Sequence, residues 1–408
     1  MSTTSHPGSA VPPAELLAAA GAMAAELAVL RHDLHRVPEL GLDLPDTQAL
    51  VLDALAPLDL EVTTGRGLRS VTAVVRGARP GPAVLLRGDM DALPVTEDTG
   101  EPFTSERPGV MHACGHDLHV AGLVGAARLL AARRADWSGS VVLMFQPGEE
   151  GDHGARLMIE EGVLDAAGER VVAAYGLHVV SAEIPVGVVT ARPGTYYAAA
   201  DQLFVTVNGR GGHGSMPHLA ADPVPVAAEI TLALQTVVTR QWDAMDPVVV
   251  TVGRIAAGTV DNVIPATAEL AATVRTFSRE AHAAVPDLLV RAAERIAQAH
   301  GMTASVEYVR GYPTLVNDAA EVARAERVVG ELGLSYVTAA VPVTGAEDFS
   351  YVLEQVPGAY VTLGATPVGV EPAGAPYNHS GRARFADEAL PQGAALLAAL
   401  ALDRLAQG

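Results

Sequence analysis

The chain has 408 residues, 49% of them hydrophobic, and a formal net charge of −20. This composition predicts a folded globular protein with room for two domains, and the acidic charge argues against nucleic acid or membrane partners. The sequence contains no lysine, which excludes Schiff-base chemistry, pyridoxal phosphate attachment and P-loop phosphate binding through that side chain.

The N-terminal segment is Ala-rich from residue 14, lacks a preceding basic segment and is interrupted by Glu15 and Glu26. We expect an amphipathic first helix there and not a secretion signal. Elsewhere no uncharged apolar run reaches about 18 residues, so no membrane-spanning helix is predicted. Cys114 is the only cysteine, which excludes an internal disulfide and fits a reducing cytoplasm.

The chain alternates between helical patterns and short apolar runs rich in β-branched residues. Helices are predicted at 14–36, 46–56, 118–134, 222–240, 280–300, 319–332 and 387–405. Strands are predicted at 70–76, 83–87, 140–145, 171–175 and 359–363. Nearly continuous apolar strands separated by helices are typical of an α/β fold with a mainly parallel, doubly wound sheet. Sites in such sheets lie beyond the strand ends.

The middle of the chain has a different pattern. Alternating strands are predicted at 201–208, 247–255, 268–277 and 303–309, with two of the predicted helices among them. Two helices on a four-stranded antiparallel sheet form a compact α+β unit. We therefore expect an inserted domain at 195–309 within a discontinuous first domain made of 1–194 and 310–408.

The segment MHACGHDLHV, residues 111–120, places Cys114 and His116 just before an apolar helical run. Amide groups at the start of a helix favour the thiolate form of cysteine. Gly115 allows a tight turn that would aim both side chains at one point. The alternative is a buried structural cysteine beside a surface histidine.

Two pairs of carboxylates follow apolar strands. Asp89 and Asp91 alternate in LLRGDMDALP and would share a face, where burial is unfavourable unless a cation or proton lies between them. Glu149 and Glu150 follow a PG turn in FQPGEEG, so one could bind metal while the other faces a bound water. The alternative for both pairs is a solvated acidic loop.

His178 ends the apolar run YGLHV, and His379 lies in the polar turn PYNHSG. Alone, the first would be read as a core histidine and the second as a turn residue. Together with Cys114, His116 and Glu150 they make five candidate ligands, one more than a structural zinc site uses. Five ligands and a water suit two metal ions about 3.5–4 Å apart, with the thiolate able to bridge them.

The motifs LHRVPELG, RGDMDALP, MHACGHD, FQPGEEG, YGLH, GGHGSMPH, DNVIP, GAEDF and YNHSG occur in this order. They resemble those of the co-catalytic metallopeptidase family of aminoacylases and carboxypeptidases. The match is closest to the branch of hippurate hydrolases, N-acyl-amino-acid amidohydrolases and auxin-conjugate amidohydrolases. The resemblance implies that the metal ligands are Cys114, His116, Glu150, His178 and His379.

The same resemblance implies further roles. Glu149 matches the general base, and Asp91 the carboxylate that orients a ligand or tunes that base. Asp89 stands where most of the wider family has histidine, and it is not expected to bind metal. His112, His119 and His153 match no fixed role and are expected to lie around the ligands or at the surface.

In the resembled family the insertion is a lid that also pairs two subunits, which implies a homodimer or a higher oligomer. His213 matches a lid histidine that reaches the substrate carbonyl, in the same or the partner subunit. Asn262 and Arg275 lie where the family recognises the substrate carboxylate. The alternatives are a turn histidine and an arginine in a surface ion pair.

The sequence therefore predicts a metal-dependent amidohydrolase that cleaves N-acyl-L-amino acids such as hippurate-like or N-acetyl substrates. Two divalent ions are expected, zinc or manganese, with cobalt and nickel as alternatives. A dipeptidase or aminopeptidase of the same family remains open, as does a non-catalytic binding protein on this fold. A hydrolase with Cys114 as nucleophile is a further alternative.

Overall fold

The computed structural model of the chain describes residues 11–407, so the start of the predicted N-terminal segment lies outside the described residues. Its helices are α1 (Pro13–Ala22), α2 (Ala24–Arg36), α3 (Pro45–Leu55), α4 (His116–Ala132), α5 (Gly154–Glu160), α6 (Pro223–Arg240), α7 (Arg279–Ala299), α8 (Ala319–Glu331), α9 (Ser350–Leu353) and α10 (Ala389–Leu405). Its strands are β1 (Glu61–Thr64), β2 (Val71–Arg76), β3 (Arg79–Asp89), β4 (Ser138–Gln146), β5 (Val171–Pro185), β6 (Val188–Ala191), β7 (Gly194–Tyr197), β8 (Ala199–Asn208), β9 (Gly212–His213), β10 (Val248–Ala257), β11 (Val263–Ile264), β12 (Thr267–Thr276), β13 (Thr303–Tyr312), β14 (Leu315–Asn317), β15 (Ser335–Thr338) and β16 (Gly358–Thr366).

The predicted first helix, 14–36, is two helices that meet at Met23 with a bend of 63°. Leu16 of α1 and Leu27 of α2 both enter the core, so the bend keeps the apolar side of each helix buried. Within residues 11–407 no single helix is long and apolar enough to cross a membrane, although this bent pair together meets that length and composition test.

The chain divides into two compact units. The first contains the described residues up to Gly194, together with Asn317–Ala340 and the residues from Tyr351 onward. The second contains Thr195–Val316 and Val341–Ser350.

The first unit is built on an eight-stranded sheet with the order β1-β2-β4-β3-β5-β16-β6-β15. The four central strands, β4, β3, β5 and β16, are parallel to one another. Antiparallel pairs join β1 to β2, β2 to β4 and β16 to β6. The predicted α/β class is therefore confirmed, with a mixed sheet whose centre is parallel.

Both faces of this sheet are buried, but the long helices of the first unit occupy only one. Alternate strand residues, such as Val84 and Leu86, share one core with α1, α2, α3, α4, α8 and α10. The opposite residues, such as Leu85 and Val142, are buried outside that core. The prediction of a doubly wound sheet was wrong on this point, because continuous apolar strands indicate two buried faces without identifying what covers each.

The second unit contains a four-stranded antiparallel sheet with the order β10-β12-β8-β13. Its inward residues, such as Val205 and Leu270, pack with Ile230 of α6 and Leu289 of α7 in a separate core. The strand and helix patterns of the middle region therefore correspond to an α+β unit.

A buried ionic network joins α2 to the start of α4. The carboxylate of Asp117 accepts from Arg31 Nε at 3.0 Å and from His35 Nδ1 at 2.9 Å. Burial alone would lower the pKa of His35, but the charge and hydrogen bond of Asp117, with a hydrogen bond to Glu97, raise it to about 9. His35 is therefore protonated in the folded chain near neutral pH.

Candidate metal centre

Cys114 and His116 are presented by a tight turn at the start of α4. Gly115 has a left-handed φ of 86°, and a Cβ atom there would lie 2.6 Å from Cγ2 of Val179. Glycine is therefore required on both conformational and steric grounds. The turn leaves Cys114 just ahead of the helix and His116 as its first residue.

The two buried histidines nearest the thiol have defined tautomers. His116 Nδ1 lies 2.9 Å from the carbonyl oxygen of Asp91, and His178 Nδ1 lies 2.7 Å from that of Val179. A carbonyl oxygen can only accept, so each Nδ1 carries the hydrogen. In the neutral ring, the form that binds metal, each Nε2 then has the lone pair, as in histidine ligands whose second nitrogen is held by the protein.

The sequence suggested that His178 lies at the end of a strand, but in the structure it lies within one. β5 continues to Pro185, and His178 pairs with Thr362 of β16. Val179 and Val180 continue the apolar run after the histidine. The sequence pattern alone did not show whether they extend the strand or follow its end. Strand residues therefore precede and follow His178 along the chain, and its backbone is held by pairing with β16.

The five predicted ligands converge. Cys114 Sγ lies 3.3 Å from Nε2 of His178 and 3.3 Å from Nε2 of His379. Glu150 Oε1 lies 3.4 Å from His379 Nε2 and 3.9 Å from His116 Nε2. Two groups of three result, Cys114–His116–His178 and Cys114–Glu150–His379, and within each the ligand atoms lie within 4.8 Å of one another.

These separations fit metal coordination. Two ligand atoms at the usual zinc distances on a tetrahedral ion lie about 3.3–3.6 Å apart. In addition, Nε2 of His116 and Oε1 of Glu150 are buried and have no hydrogen-bond partner among the described residues. Buried polar atoms are normally satisfied, so the donor set fits two cations that share the sulfur of Cys114.

The electrostatics favour a thiolate. Burial alone would raise the pKa of Cys114, but the neighbouring imidazoles of His178 and His116 outweigh it and hold the pKa well below its ordinary value. The thiolate is the form of cysteine that binds metal. Burial raises the pKa of Glu150, so a cation beside it would restore the charged carboxylate.

Asp91 fixes the loop that carries both glutamates. Its Oδ1 accepts from the backbone amide of Glu149 at 3.0 Å, and its Oδ2 accepts from that of Glu150 at 2.9 Å. Oδ1 also lies 3.6 Å from His116 Nδ1. The carboxylate of Asp91 therefore sets the positions of Glu149, Glu150 and His116 without belonging to either group of three.

Asp89 has separate partners from Asp91, so no cation or proton between the two carboxylates is needed to offset their burial. Asp89 Oδ2 accepts from Arg87 at 2.7 Å, and its Oδ1 accepts from Nδ1 of His119. Nε2 of His119 accepts from the amide of Val179 at 2.9 Å. This leaves His119 neutral and without a free lone pair, although it lies beside Asp89 and His116.

A family model described as peptidase family M20/M25/M40 matches residues 85–403. The chain belongs to this family. It is 38% identical over 378 residues to thermostable carboxypeptidase 1 of Saccharolobus solfataricus, covering 91% of this chain and 94% of the relative. It is 38% identical over 336 residues to N-acetylcysteine deacetylase of Bacillus subtilis, covering 82% and 87%.

A solved structure gives the same result. A Bacillus subtilis protein described as a dinuclear metal-binding peptidase of the M20 family has a TM-score of 0.82 and 34% identity to this chain, covering 94% of this chain and 99% of that one. The resemblance inferred from the motifs is confirmed. The chain is an M20 hydrolase whose described residues include two groups of candidate metal ligands that share Cys114.

The remaining predicted residues of this M20 hydrolase lie in its second unit. His213 on β9 pairs with Val263 of β11, and the adjacent amide of Gly214 donates to the carbonyl of Asn262 at 2.8 Å. His213 and Asn262 are therefore neighbours on one exposed ribbon. His213 Nδ1 accepts from the amide of Ser215 at 3.2 Å, which directs its Nε2 away from this turn.

Arg275 lies on β12, opposite Ala200 of β8 and Val249 of β10. Its guanidinium donates to Thr273 Oγ1 at 2.6 Å. No carboxylate lies within 4.0 Å of it among residues 11–407, so the alternative of an ion pair does not apply. Its cation remains available to an anionic group.

Three further histidines, His112, His119 and His153, have no expected role. His112 is buried, and within the described part of the chain neither ring nitrogen has a hydrogen-bond partner. The ring of His119 is hydrogen-bonded to Asp89, and that of His153 to the hydroxyl of Tyr351 at 2.9 Å.

Sequence reasoning missed Arg87, which is the partner of Asp89. An arginine two residues before an aspartate on one strand lies on the same face, and this spacing could have indicated the pair.

Proposed function

We propose that this M20 hydrolase is a metal-dependent amidohydrolase that cleaves the amide bond of N-acyl-L-amino acids. The observation that carries the proposal is the sharing of Cys114 Sγ by two groups of candidate ligands, with Glu149 beside them in a further group with His116 and Glu150. The names of the two curated relatives, a deacetylase and a carboxypeptidase, support hydrolysis of an amide bond.

In this proposal one ion is held by Cys114, His116 and His178, and the other by Cys114, Glu150 and His379. Two divalent ions bound there would polarise the scissile carbonyl and lower the pKa of water toward neutrality. We propose zinc or manganese, with cobalt and nickel as alternatives that the same ligand types accept.

Glu149 is the proposed general base. Its side chain is buried, and Asp91 holds its backbone amide. Glu149 takes a proton from the attacking water, whose oxygen forms a bond to the carbonyl carbon. As the carbon–nitrogen bond breaks, the same carboxyl returns the proton to the nitrogen, giving a carboxylic acid and a free amino acid.

The second unit supplies the proposed recognition residues. His213 donates a hydrogen bond to the developing oxyanion, and Asn262 and Arg275 bind the substrate carboxylate. Among the described residues no carboxylate lies within the 4.0 Å of an ion pair with Arg275, and Asp201 acts on it only from a longer distance, which supports this role. We further propose that residues 195–309 act as a lid and dimerisation domain in a homodimer, and that 1–194 with 310–408 form the catalytic domain.

A peptidase is the second candidate, because the Saccharolobus solfataricus relative is named a carboxypeptidase. A dipeptide and an N-acyl amino acid both present an amide next to a carboxylate. They differ at the free amine, which a peptidase of the aminopeptidase type must recognise with an acidic group.

A substrate panel with metal analysis tests the proposal. Benzoyl-glycine, acetyl-methionine and a free dipeptide are incubated with protein loaded with zinc or manganese. We expect turnover of at least one capped substrate, loss of turnover with a chelator, and loss of at least about 100-fold in Glu149→Gln with both ions retained. Glu160→Gln, on the surface of α5, is the matched control. Turnover of the dipeptide alone would favour the second candidate, and metal-independent turnover would reject both.

A further inference from the structure

His379 lies in the most exposed setting of the five proposed ligands. Its backbone is left-handed, with a φ of 69°, and its side chain is 54% exposed. The other proposed ligands lie on a helix, in a strand or in buried turns. An exposed loop in a strained conformation does not hold a ligand by itself, so other contacts must hold it.

Asn378, the residue before His379, makes these contacts. Its Nδ2 donates to the carbonyl oxygen of Cys114 at 3.1 Å and to that of Val179 at 3.0 Å. Its Oδ1 accepts from the amide of Ser181 at 2.9 Å. The two carbonyl acceptors and the amide donor fix which way the side-chain amide faces.

Ser181 completes the attachment. It is buried in β5, and its Oγ lies 2.8 Å from the carbonyl oxygen of Pro376 and 3.0 Å from Asn378 Oδ1. The amide of His379 also donates to the carbonyl of Ala113 at 2.8 Å. The His379 loop is thus tied to the segment of Cys114 and to the strand of His178, with Asn378 at the junction.

We infer that Asn378 is a positioning residue for His379, so that the ion bound by Cys114, Glu150 and His379 depends on it. The inference rests on the proposed metal assignment. His116 is fixed by α4 and by Asp91, and His178 is fixed within β5. Asn378 reaches that ion's ligands only through the backbone carbonyls of Cys114 and Val179 and a 3.9 Å contact with Cys114 Sγ. The ion bound by Cys114, His116 and His178 should therefore depend on Asn378 less than the other ion does.

The chain offers a matched control. Asn317 is a buried asparagine that likewise bridges backbone groups, with Nδ2 2.9 Å from the carbonyl of Tyr360 and Oδ1 2.8 Å from its amide. It joins β14 to β16 and carries no proposed ligand beside it. Asn317→Ala removes a comparable set of hydrogen bonds without loosening the His379 loop.

The experiment titrates metal-stripped protein with Co²⁺ and follows both the heat of binding and the absorption of the cobalt–thiolate bond. The wild type is expected to bind two ions. Asn378→Ala is expected to bind one ion about 10–100-fold more weakly, the usual effect of removing a residue that supports a ligand, and to weaken the other ion by a clearly smaller factor. Its spectrum with one ion should match that of His379→Ala and differ from that of His178→Ala.

Ser181→Ala provides a second variant in case Asn378→Ala does not fold. It keeps the amide donor to Asn378 and loses the hydroxyl, so the same ion should be weakened by a smaller factor. Wild-type affinity for both ions in folded Asn378→Ala overturns the inference, as does equal weakening of both ions or the same loss in Asn317→Ala. A wild type that binds fewer than two ions instead overturns the proposed function.

Discussion

The guanidinium of Arg87 lies 2.7 Å from the carboxylate of Asp89, and neither side chain is exposed to solvent. This pair adjoins the proposed metal centre, because Asp89 Oδ2 lies 3.4 Å from Nε2 of the proposed ligand His116. It satisfies a carboxylate for which the sequence suggested a cation or proton. Buried pairs of this kind are sensitive to loss of one partner.

Arg87→Leu should destabilise the fold strongly. Removal of the arginine leaves a buried carboxylate without its cation, which lowers the free energy of unfolding by about 3–5 kcal/mol. Urea unfolding of metal-stripped protein measures the change. Arg79→Leu, an exposed position on the same strand, should change it by less than about 1 kcal/mol. The double variant Arg87→Leu with Asp89→Asn should recover part of the lost free energy of unfolding. A smaller loss in Arg87→Leu than in Arg79→Leu would contradict the prediction.

Substitution of Cys114 separates a metal ligand from a nucleophile. In Cys114→Ser we expect the bound metal to fall from two ions to one or none, and turnover to fall by at least about 100-fold, because the shared sulfur is lost. Metal analysis and substrate assays are made on the same preparation. Cys114→Asp, whose carboxylate can also bridge, should regain metal. Full metal content in inactive Cys114→Ser would support the cysteine-nucleophile alternative.

Gly115→Ala should disturb the same turn through the backbone. The left-handed φ and the contact with Val179 Cγ2 at 2.6 Å together predict a loss of about 1–3 kcal/mol and weaker metal binding. Gly109 is the control, since its φ is 81° and a Cβ atom there would meet no atom within 4 Å beyond its chain neighbours. Gly109→Ala should show the conformational effect alone, with metal binding unchanged. Similar metal loss in both variants would show that the contact is unimportant.

The pKa of His35 predicts a pH-dependent stability. Its folded pKa of about 9 exceeds the ordinary 6.5, so the protonated ring stabilises the folded state. That contribution is fully present below pH 6.5 and is lost as the pH rises through 9. A shift of this size corresponds to at most about 3–4 kcal/mol.

The measurement is urea unfolding of metal-stripped wild type and His35→Gln between pH 6 and 10. The destabilisation caused by the substitution should be largest near pH 6 and should shrink above pH 9. A difference for His35→Gln that grows with pH would have the wrong sign and would reject the assignment.

The sequence could predict which residue types meet at the centre, because the parallel strands of this sheet end at one edge. Glu149 and Glu150 follow β4, His116 begins α4, and Cys114 lies two residues before it, so their approach follows from the fold. Their roles as base and ligands remain predictions that metal analysis must test.

The contacts that hold the ligands could not be predicted. Asn378 and Ser181 are 197 positions apart in the sequence. The residues flanking each one do not indicate that the two side chains form hydrogen bonds with each other. The partners of Asp89 likewise depend on how β3 lies against α4, which places His119 beside it. Local patterns report burial and spacing, whereas these hydrogen bonds depend on the packing of distant segments.

The uneven exposure of the ligands has a kinetic consequence. The imidazole of His379 is 54% exposed and the carboxylate of Glu150 17%, whereas that of His116 is 1%. A chelator arriving from solvent would reach the proposed ion beside His379 first. Demetallation should therefore proceed in two phases, through a half-loaded species that retains the deeper ion.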